Sequence, residues 1–381
     1  MDGLHRVALC GAGGFAKNAH LPAIVASSNL ELVAVYSRSL KSVRSLLEAT
    51  KKFSSLAQQE LSVYSDDPST ESFESLLARP DVPTVVFSLP IATQPKMIEQ
   101  AFKAGKNVIS EKPVAPSLDE AKRLIDLYEK EYRPRGQSWI IAEQFPWEMS
   151  YCRARKWVQE GKLGEIRGFK AEVFVQPSNM ARNTGWRQVP DYQGGYILDG
   201  GVHFVAGLRH ILQCPITSVF ATSQQIQEFL PPCDTLSGVL IATPAAPAKS
   251  ISGTFTFSFG TESGTARNYT ILGSKAALTV DFSKPVHTLT LSTLPTDPDE
   301  SDPHNLVIEL PQRGVEEEFE AFGRALVGGC DSTAWTDVME RSGPRATLRD
   351  LGIIEGALKS SREGKVVDLV ELQGGQAWFD I

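Results

Sequence analysis

The sequence predicts an α/β protein with a doubly wound parallel sheet in its first part and a large, mostly antiparallel sheet in its second part. In the first part, short and almost wholly apolar runs alternate with helical stretches, which is typical of parallel strands covered by helices on both faces. In the second part, apolar and polar residues alternate within single runs, which is typical of strands that bury one face. The change of pattern predicts two domains, at residues 1–145 and 146–381.

Five apolar runs in the first part are predicted to be the parallel strands. They are residues 6–10, 32–36, 84–89, 107–110 and 139–142. The stretches between them are predicted to be helices, at residues 40–50, 73–77, 96–104 and 118–131. Because crossovers between parallel strands are right-handed, this succession of elements folds into a doubly wound sheet.

The second part contains several strand-like runs with few helices between them, which favours antiparallel pairing. The clearest run is residues 251–259, where Ile251, Phe255 and Phe257 alternate with serine and threonine. The other predicted strands are residues 169–175, 239–243, 269–272, 278–282, 288–292 and 306–310. Helices are predicted at residues 316–326 and 347–360, and the acidic, proline-rich stretch 294–303 is predicted to be a solvated loop.

The composition excludes several classes of protein. The chain has 381 residues, and 38 Lys and Arg stand against 45 Asp and Glu, so that the net charge of −7 argues against general binding to nucleic acid phosphates. No apolar run is long enough to span a membrane, and no basic region followed by an apolar stretch marks a secretory signal. The five cysteines show no spacing typical of zinc or redox sites. We therefore expect a cytoplasmic protein with reduced thiols.

The first apolar run is followed by a glycine-rich turn of a kind that holds phosphate groups. The turn fits the pattern G-x-G-x-x-A, and its predicted cofactor-binding residues are Gly11, Gly13, Gly14, Phe15 and Ala16. Gly11 permits the tight turn, Gly13 lets the backbone approach a pyrophosphate, and Ala16 lets helix and strand pack closely. The N-terminus of the following helix offers N–H groups and a positive dipole to the phosphates. The turn therefore predicts a dinucleotide site.

The end of the second apolar run distinguishes NADP from NAD. An acidic residue at this place would bind the ribose 2′-hydroxyl of NAD. This chain has Ser37, Arg38 and Ser39 instead, so that no carboxylate repels a 2′-phosphate, while the guanidinium and the hydroxyls can bind it. Lys41 adds positive charge. The sequence predicts NADP rather than NAD as the cofactor.

Two further motifs carry groups suited to hydride transfer. Glu111-Lys112-Pro113 follows the fourth apolar run, and ligands of such sheets lie beyond the carboxyl ends of the strands, so Lys112 is expected near the nicotinamide. Asp199 and His203 are four residues apart in a glycine-rich stretch and share one face if that stretch is helical. The carboxylate would orient the imidazole and raise its pKa, and such a histidine can carry the proton that accompanies a hydride. The glycines would let the backbone pass close to a ligand.

These three motifs, in this order and at these separations, resemble those of the Gfo/Idh/MocA oxidoreductases. Lesser matches at residues 104–106, 161–166, 271–275 and 360–367 extend the resemblance over nearly the whole chain. The resemblance implies an N-terminal Rossmann domain and a C-terminal α+β domain with a large open sheet, through which family members often form dimers or tetramers. It also implies hydride transfer at a hydroxyl or carbonyl carbon of a sugar, polyol or related small molecule.

The resemblance also implies roles for single residues. His203 matches the catalytic acid/base, Asp199 the aspartate that binds substrate or relays a proton, and Lys112 the lysine near the nicotinamide and the substrate oxygen. The further cofactor-binding residues that it implies are Ser88, Leu89, Pro90, Gln94, Glu111, Gln144, Trp186 and Arg187. Many family members have histidine where Gln94 stands.

The chain departs from the family pattern at two places, which leaves the particular substrate open. Pro146 and Ala206 stand where many relatives have arginine and aspartate. Two alternatives to a dehydrogenase also remain. A non-catalytic dinucleotide-sensing regulator would lack the lysine or the histidine, and an NAD-assisted glycosidase is opposed by Arg38.

Four other polar residues are better explained by structural roles. Tyr192 and Asn183 are predicted to be surface loop residues, with substrate contact as the alternative. His20, in the helix after the phosphate loop, is predicted to be structural, with approach to the cofactor as the alternative. His210 is predicted to be a packed or capping side chain, because a metal site with His203 needs at least a third ligand and none is apparent.

Overall fold

The computed structural model describes residues 4–56, 59–177, 184–244, 249–262, 266–293 and 304–379, so the predicted loop at 294–303 lies outside the described residues. Contacts within the chain divide it into two units. The first comprises Met1–Gln144 and Val315–Leu348, and the second comprises Phe145–Gly314 and Arg349–Ile381. The segment Val315–Leu348 thus packs with the N-terminal residues, although it follows the second sheet along the chain.

The first unit is built on a parallel sheet, as predicted. Its strands are β1 (His5–Cys10), β2 (Leu30–Tyr36), β3 (Ser62–Tyr64), β4 (Thr84–Phe87), β5 (Asn107–Glu111) and β6 (Trp139–Ala142). Their order in the sheet is β3-β2-β1-β4-β5-β6, and each pair is parallel. The order reverses between β1 and β4, which is the switch point where doubly wound sheets bind ligands.

Serine side chains begin several helices of the first unit. The helices in its N-terminal part are α1 (Leu21–Ala26), α2 (Leu40–Thr50), α3 (Phe73–Leu77), α4 (Gln94–Lys103) and α5 (Leu118–Leu127). Ser39, Ser72 and Ser117 each accept a hydrogen bond from the N–H three residues later, and so cap α2, α3 and α5. A turn of π-helix, Ala16–His20, leads directly into α1.

The second unit contains a mostly antiparallel sheet of nine strands among the described residues. They are β7 (Ile166–Phe174), β8 (Ile216–Gln224), β9 (Thr235–Ala242), β10 (Ile251–Ser258), β11 (Ala266–Gly273), β12 (Ala276–Asp281), β13 (Val286–Thr293), β14 (His304–Pro311) and β15 (Val367–Asp368). Their order is β14-β13-β12-β11-β7-β10-β9-β8-β15, and only the central β7–β10 pair is parallel in the described part. The predicted fold class is confirmed for both sheets.

The remaining helices lie between and after these strands. They are α6 (Met149–Gln159), α7 (Gly185–Gln188), α8 (Gly195–Leu212), α9 (Gly314–Gly328), α10 (Thr333–Ser342), α11 (Pro344–Glu363), α12 (Leu369–Leu372) and α13 (Gln376–Phe379). No helix among the described residues is long and apolar enough to cross a membrane.

The late helices α9 and α10 complete the core of the first unit. Phe319 on α9 is fully buried, and its ring centre lies 5.0 Å from that of His20. Glu320 accepts hydrogen bonds from the Ser27 hydroxyl and from the Ser28 N–H, each at 2.9 Å. Helix α10 packs against β6. The first unit therefore depends on residues far beyond residue 145.

A buried histidine in the second unit makes its stability sensitive to acid. His287 on β13 is 3% exposed, and its Nδ1 lies 2.7 Å from the Ser150 hydroxyl. Burial lowers the pKa of His287 from 6.5 to about 4. Between these pH values the unfolded chain binds a proton that the folded chain does not, so stability falls as pH falls from 6.5 towards 4.

We therefore expect the urea midpoint of the wild type to fall between pH 7 and pH 5, and His287→Gln to reduce that fall. Between pH 7 and pH 5 the titration of His287 contributes at most about 2 kcal/mol to this fall. His304→Gln, on β14, serves as the control and should keep the wild-type pH dependence. Equal falls in the wild type and in His287→Gln would show that other groups cause the acid sensitivity.

Candidate active site

The first unit brings the residues predicted to bind the cofactor to one edge of its sheet. Because its strands are parallel, their carboxyl ends lie along the same edge. The residues at this edge are Gly11, Gly13, Gly14, Phe15 and Ala16 after β1, Ser37, Arg38 and Ser39 after β2, Ser88, Leu89 and Pro90 after β4, Glu111 and Lys112 at the end of β5, and Gln144 after β6.

Gly11 lies at the switch point and leaves no room for a side chain. Its φ is +120°, and a Cβ at this position would lie 2.2 Å from the carbonyl oxygen of Ser88. Its N–H donates to the Tyr36 carbonyl at 2.8 Å, and the Ser88 N–H donates to the Cys10 carbonyl at 2.9 Å. Gly11 therefore joins the ends of β1, β2 and β4 in one tight turn.

The next two glycines border open space. A Cβ at Gly13 or Gly14 would meet nothing within 4 Å. The cap position of the following helical turn is held by Phe15, whose side chain cannot accept hydrogen bonds from the first N–H groups. Ala16 is fully buried, as close packing of helix on strand requires. This backbone fits a pyrophosphate, which would use the open space and the N–H groups together.

Of the residues after β2, one has a structural role and another is exposed to solvent. Ser39 accepts a hydrogen bond from the Ser42 N–H at 3.2 Å, so that it caps α2, whereas Arg38 is exposed. The structure also brings Asp66 to this strand end, where its Oδ1 accepts from the Tyr36 hydroxyl at 2.9 Å. No sequence pattern indicates this carboxylate, because Asp66 lies 30 residues from Tyr36 along the chain.

Glu111, the last residue of β5, is held by two buried side chains. His20 Nε2 lies 2.7 Å from Glu111 Oε1, at the distance of an ion pair but without the angle of a hydrogen bond. Gln94 donates from Nε2 to the Glu111 carbonyl at 3.0 Å. Lys112 follows, half-buried, and its peptide bond to Pro113 is cis. The lysine motif is therefore tied to α4 and to the π-turn before α1.

In the second unit, Asp199 and His203 lie one turn apart on α8, as their spacing predicts. Asp199 is 5% exposed, and its Oδ2 accepts a hydrogen bond from Arg187 Nε at 2.7 Å. The Arg187 guanidinium in turn lies 4.1 Å from the centre of the Trp186 ring. A carboxylate this deeply buried needs a positive partner of this kind.

His203 is half-buried, and its ring is supported from one side. It stacks on Phe145, with ring centres 4.9 Å apart and ring planes at 29°. A flat contact of this kind restricts the directions in which the imidazole nitrogens can point. Phe145 was not predicted as a site residue, because nothing in its immediate sequence neighbours indicates a contact with α8.

Tyr192 is not a surface residue, so that prediction is wrong. It is 8% exposed, and its ring centre lies 6.1 Å from that of Trp186. Its hydroxyl is buried and has no hydrogen-bond partner among the described residues. Burial raises the pKa of Tyr192, and the charge of Asp199 adds to this effect. Asn183, which was grouped with it, lies outside the described residues.

Contacts within the protein explain the glycines around Asp199. Gly195 has a φ of +52°, and a Cβ there would lie 2.1 Å from the Pro231 carbonyl oxygen. A Cβ at Gly200 would lie 2.4 Å from the Phe259 ring. These glycines therefore permit close packing of α8 on its neighbours, which differs from the predicted approach of backbone to a ligand.

A parallel sheet with a glycine-rich turn at its switch point, joined in one chain to an aspartate and a histidine on one helix face, has the architecture of a dinucleotide-binding oxidoreductase. Comparison with known proteins gives the same class. Residues 5–134 match the oxidoreductase family with an NAD-binding Rossmann fold, and residues 151–279 match the Gfo/Idh/MocA C-terminal domain.

Relatives of known name cover almost the whole chain. Dehydrogenase FPY6 of Fusarium mangiferae is 32% identical over 374 residues, which are 96% of this chain and 99% of that one. A dTDP-3,4-didehydro-2,6-dideoxy-α-D-glucose 3-reductase of Streptomyces violaceoruber is 30% identical over 281 residues, 72% of each chain. The structure of the 3-ketoreductase KijD10 of Actinomadura kijaniata, in complex with NADP and TDP-benzene, matches with a TM-score of 0.71 at 22% identity and covers 94% of this chain and 98% of that one. The chain therefore belongs to the Gfo/Idh/MocA oxidoreductase family.

Proposed function

We propose that the protein is an NADP(H)-dependent oxidoreductase that transfers a hydride between the nicotinamide and a hydroxyl or carbonyl carbon of a sugar, polyol or related small molecule. The observation that carries the proposal is the common edge of the parallel sheet, where the phosphate turn, Arg38 and Lys112 follow three strand ends. A surface arginine or lysine alone would mean little, but three such features at one sheet edge form a dinucleotide site.

The residues at this edge fit the parts of an NADP molecule. We assign the pyrophosphate to the turn at Gly13 and Gly14, which leaves both open space and N–H groups. We assign the 2′-phosphate to Arg38 and Ser37, because the Ser39 hydroxyl already donates to Ser42 Oγ at 2.8 Å. The nicotinamide end is assigned to Ser88, Leu89, Pro90, Gln94, Glu111, Lys112 and Gln144.

When bound, the dinucleotide supplies or accepts the hydride, and the protein must move the accompanying proton. In the direction of reduction, the His203 imidazolium donates its proton to the substrate oxygen as the substrate carbon gains the hydride. In the direction of oxidation, the neutral imidazole takes the hydroxyl proton instead. The Lys112 ammonium polarises the same oxygen. Asp199 orients the His203 ring, while Arg187 balances the charge of Asp199.

The name of one relative supports the proposed substrate class. The Streptomyces violaceoruber relative is named as a reductase of a keto sugar nucleotide. Pro146 and Ala206, the two departures from the family pattern, are both buried, so neither supplies a polar contact to a substrate. We therefore place the substrate among sugars, polyols and their ketones, in the nucleotide-linked or the free form.

The first experiment is titration of the purified protein with NADPH and with NADH, followed by their fluorescence. NADPH should bind more tightly, and Arg38→Ala should weaken NADPH binding by about ten- to a hundredfold, because a charge-assisted hydrogen bond to phosphate contributes about 1.5–3 kcal/mol. NADH binding should change little, since NADH has no 2′-phosphate.

Lys51→Ala is the matched control for this experiment. Lys51 caps the far end of α2, is exposed and pairs with Glu48, so its removal should leave both affinities unchanged. Tighter binding of NADH than of NADPH by the wild type would refute the proposed cofactor and favour the NAD-assisted glycosidase.

We also propose that the protein forms a homodimer or homotetramer through the open face of its second sheet. Large apolar side chains are exposed on strands of this sheet, among them Phe220 at 43% and Leu272 at 50%. Each follows a buried neighbour, Val219 and Ile271, so the exposed side chains lie on the opposite face from the core.

A further inference from the structure

We propose that His20 and Gln94 are positioning residues, which hold Glu111 from two sides and thereby fix the place of Lys112. The inference deepens the proposed function and rests on it, because it concerns the lysine that acts on the substrate oxygen. The sequence predicts a structural role for His20 and a place for Gln94 in the loop that holds the cofactor.

His20 is more than a packed ring. Its side chain is fully buried, and its ring centre lies 5.1 Å from that of Phe15 and 5.0 Å from that of Phe319. Packing of this kind would favour an apolar residue, because a buried polar group costs free energy unless it is paired. Neither ring nitrogen makes a hydrogen bond to a described residue, but Nε2 lies 2.7 Å from Glu111 Oε1, within ion-pair distance. The contact with Glu111 is therefore the interaction that a histidine makes at this buried position and an apolar residue could not.

Glu111 is itself 8% exposed, so its carboxylate needs the partner that His20 provides. Because Glu111 ends β5, its side chain and that of Lys112 leave the strand in succession at the ligand edge of the sheet. His20 ends the helical turn that follows the phosphate loop. One contact thus links the turn assigned to the pyrophosphate with the strand end that carries Lys112.

Gln94 holds the main chain at the same place. It is 1% exposed, begins α4, and donates to the Glu111 carbonyl at 3.0 Å. That carbonyl belongs to the planar peptide group that joins Glu111 to Lys112. The hydrogen bond therefore fixes the plane from which Lys112 departs, while His20 fixes the preceding side chain. A misplacement of about 1 Å at a reacting group can cost about a hundredfold in rate, so such a hold has a clear use.

Two substitutions at His20 distinguish the packing of its ring from the contact of its nitrogen with Glu111. His20→Phe keeps an aromatic ring between Phe15 and Phe319 but removes the partner of Glu111. His20→Gln loses the ring but keeps an N–H group that can reach the carboxylate. A packing role predicts that His20→Phe is the milder change, and a positioning role predicts that His20→Gln is.

The first readout compares NADPH with 2′,5′-ADP, which contains only the adenosine half of the cofactor. His20→Phe should weaken NADPH binding by about tenfold and leave 2′,5′-ADP within about twofold of the wild type, because only the lysine end is disturbed. His20→Gln should restore most of the NADPH affinity. Equal losses for both ligands in His20→Phe, or a poorer result for His20→Gln than for His20→Phe, would overturn the proposal.

The second readout needs no cofactor. Trinitrobenzenesulfonate modifies lysine amines, and mass spectrometry of the Lys112 peptide gives the rate at this one site. The rate should rise several-fold in His20→Phe and return towards the wild-type value in His20→Gln. Gln94→Met, which removes the hold on the carbonyl, should raise it as well and replaces His20→Phe if that variant fails to fold. An unchanged rate in the folded variants would overturn the proposal, whereas a wild type that binds no dinucleotide would overturn the proposed function alone.

Discussion

Replacement of His203 with alanine is expected to lower turnover by about a hundredfold to ten-thousandfold, which is the usual contribution of a general acid or base. His203 lies one turn from Asp199 on α8 and stacks on Phe145, so the substitution removes an imidazole held in one orientation. Turnover is measured as loss of NADPH absorbance with a keto sugar identified by screening. The affinity for NADPH should stay close to that of the wild type, because no residue assigned to the dinucleotide is changed.

A second histidine of the same unit controls for general effects of the change. His304 is exposed on β14, and His304→Ala should keep wild-type turnover. Retention of turnover by His203→Ala would remove this histidine from the mechanism and leave Lys112 as the candidate proton carrier. Loss of NADPH affinity together with turnover would show that His203 serves cofactor binding instead.

Gly11→Ala is expected to destabilise the first unit by about 2–6 kcal/mol and to abolish NADPH binding. Two costs add at this position. An alanine at a φ of +120° adopts a backbone conformation that costs about 1–3 kcal/mol. Its Cβ, 2.2 Å from the Ser88 carbonyl oxygen, also forces the ends of β1 and β4 apart, at about 1–3 kcal/mol. Thermal unfolding and NADPH fluorescence measure the two effects.

Gly13→Ala is the matched variant, because it should change NADPH binding without changing the stability of the fold. Its Cβ would meet nothing within 4 Å, so stability should stay within about 0.5 kcal/mol of the wild type. NADPH binding should still weaken, since the methyl group enters the space assigned to the pyrophosphate. Unchanged NADPH binding in Gly13→Ala would exclude the pyrophosphate from this turn, and wild-type stability in Gly11→Ala would show that the strand ends can relax.

The elements that the sequence predicts are those whose side chains share one periodic pattern. The strands β1, β2, β4, β5 and β6 each contain a continuous apolar run in a sheet that is buried on both faces, and each was predicted. Strand β3 was missed because it has only three residues, too few for any period to show. Strand β8 was missed because its register with β9 shifts between Ile216 and Ser218, which breaks the alternation of apolar and polar residues.

In the candidate site, too, the features set by residues close in sequence were predicted, and the contacts between residues far apart in sequence were not. The turn from Gly11 to Ala16 and the spacing of Asp199 and His203 depend on neighbours in the chain, and the structure shows the predicted turn and helix. The contacts of His20 with Glu111, and the burial of Tyr192, depend on residues that only folding brings together. No periodicity or motif records such pairs, so the sequence could not show them.

A ribosome completes the first unit only after it has synthesised most of the chain. Residues Val315–Leu348 belong to that unit, and they include the buried Phe319 that contacts His20. Until these residues emerge from the ribosome, the apolar surface that they cover stays exposed to solvent on the nascent chain. Exposed apolar surface of this kind promotes aggregation or chaperone binding. A truncation after β14 would therefore damage the dinucleotide-binding half, even though every residue of the phosphate turn had already been made.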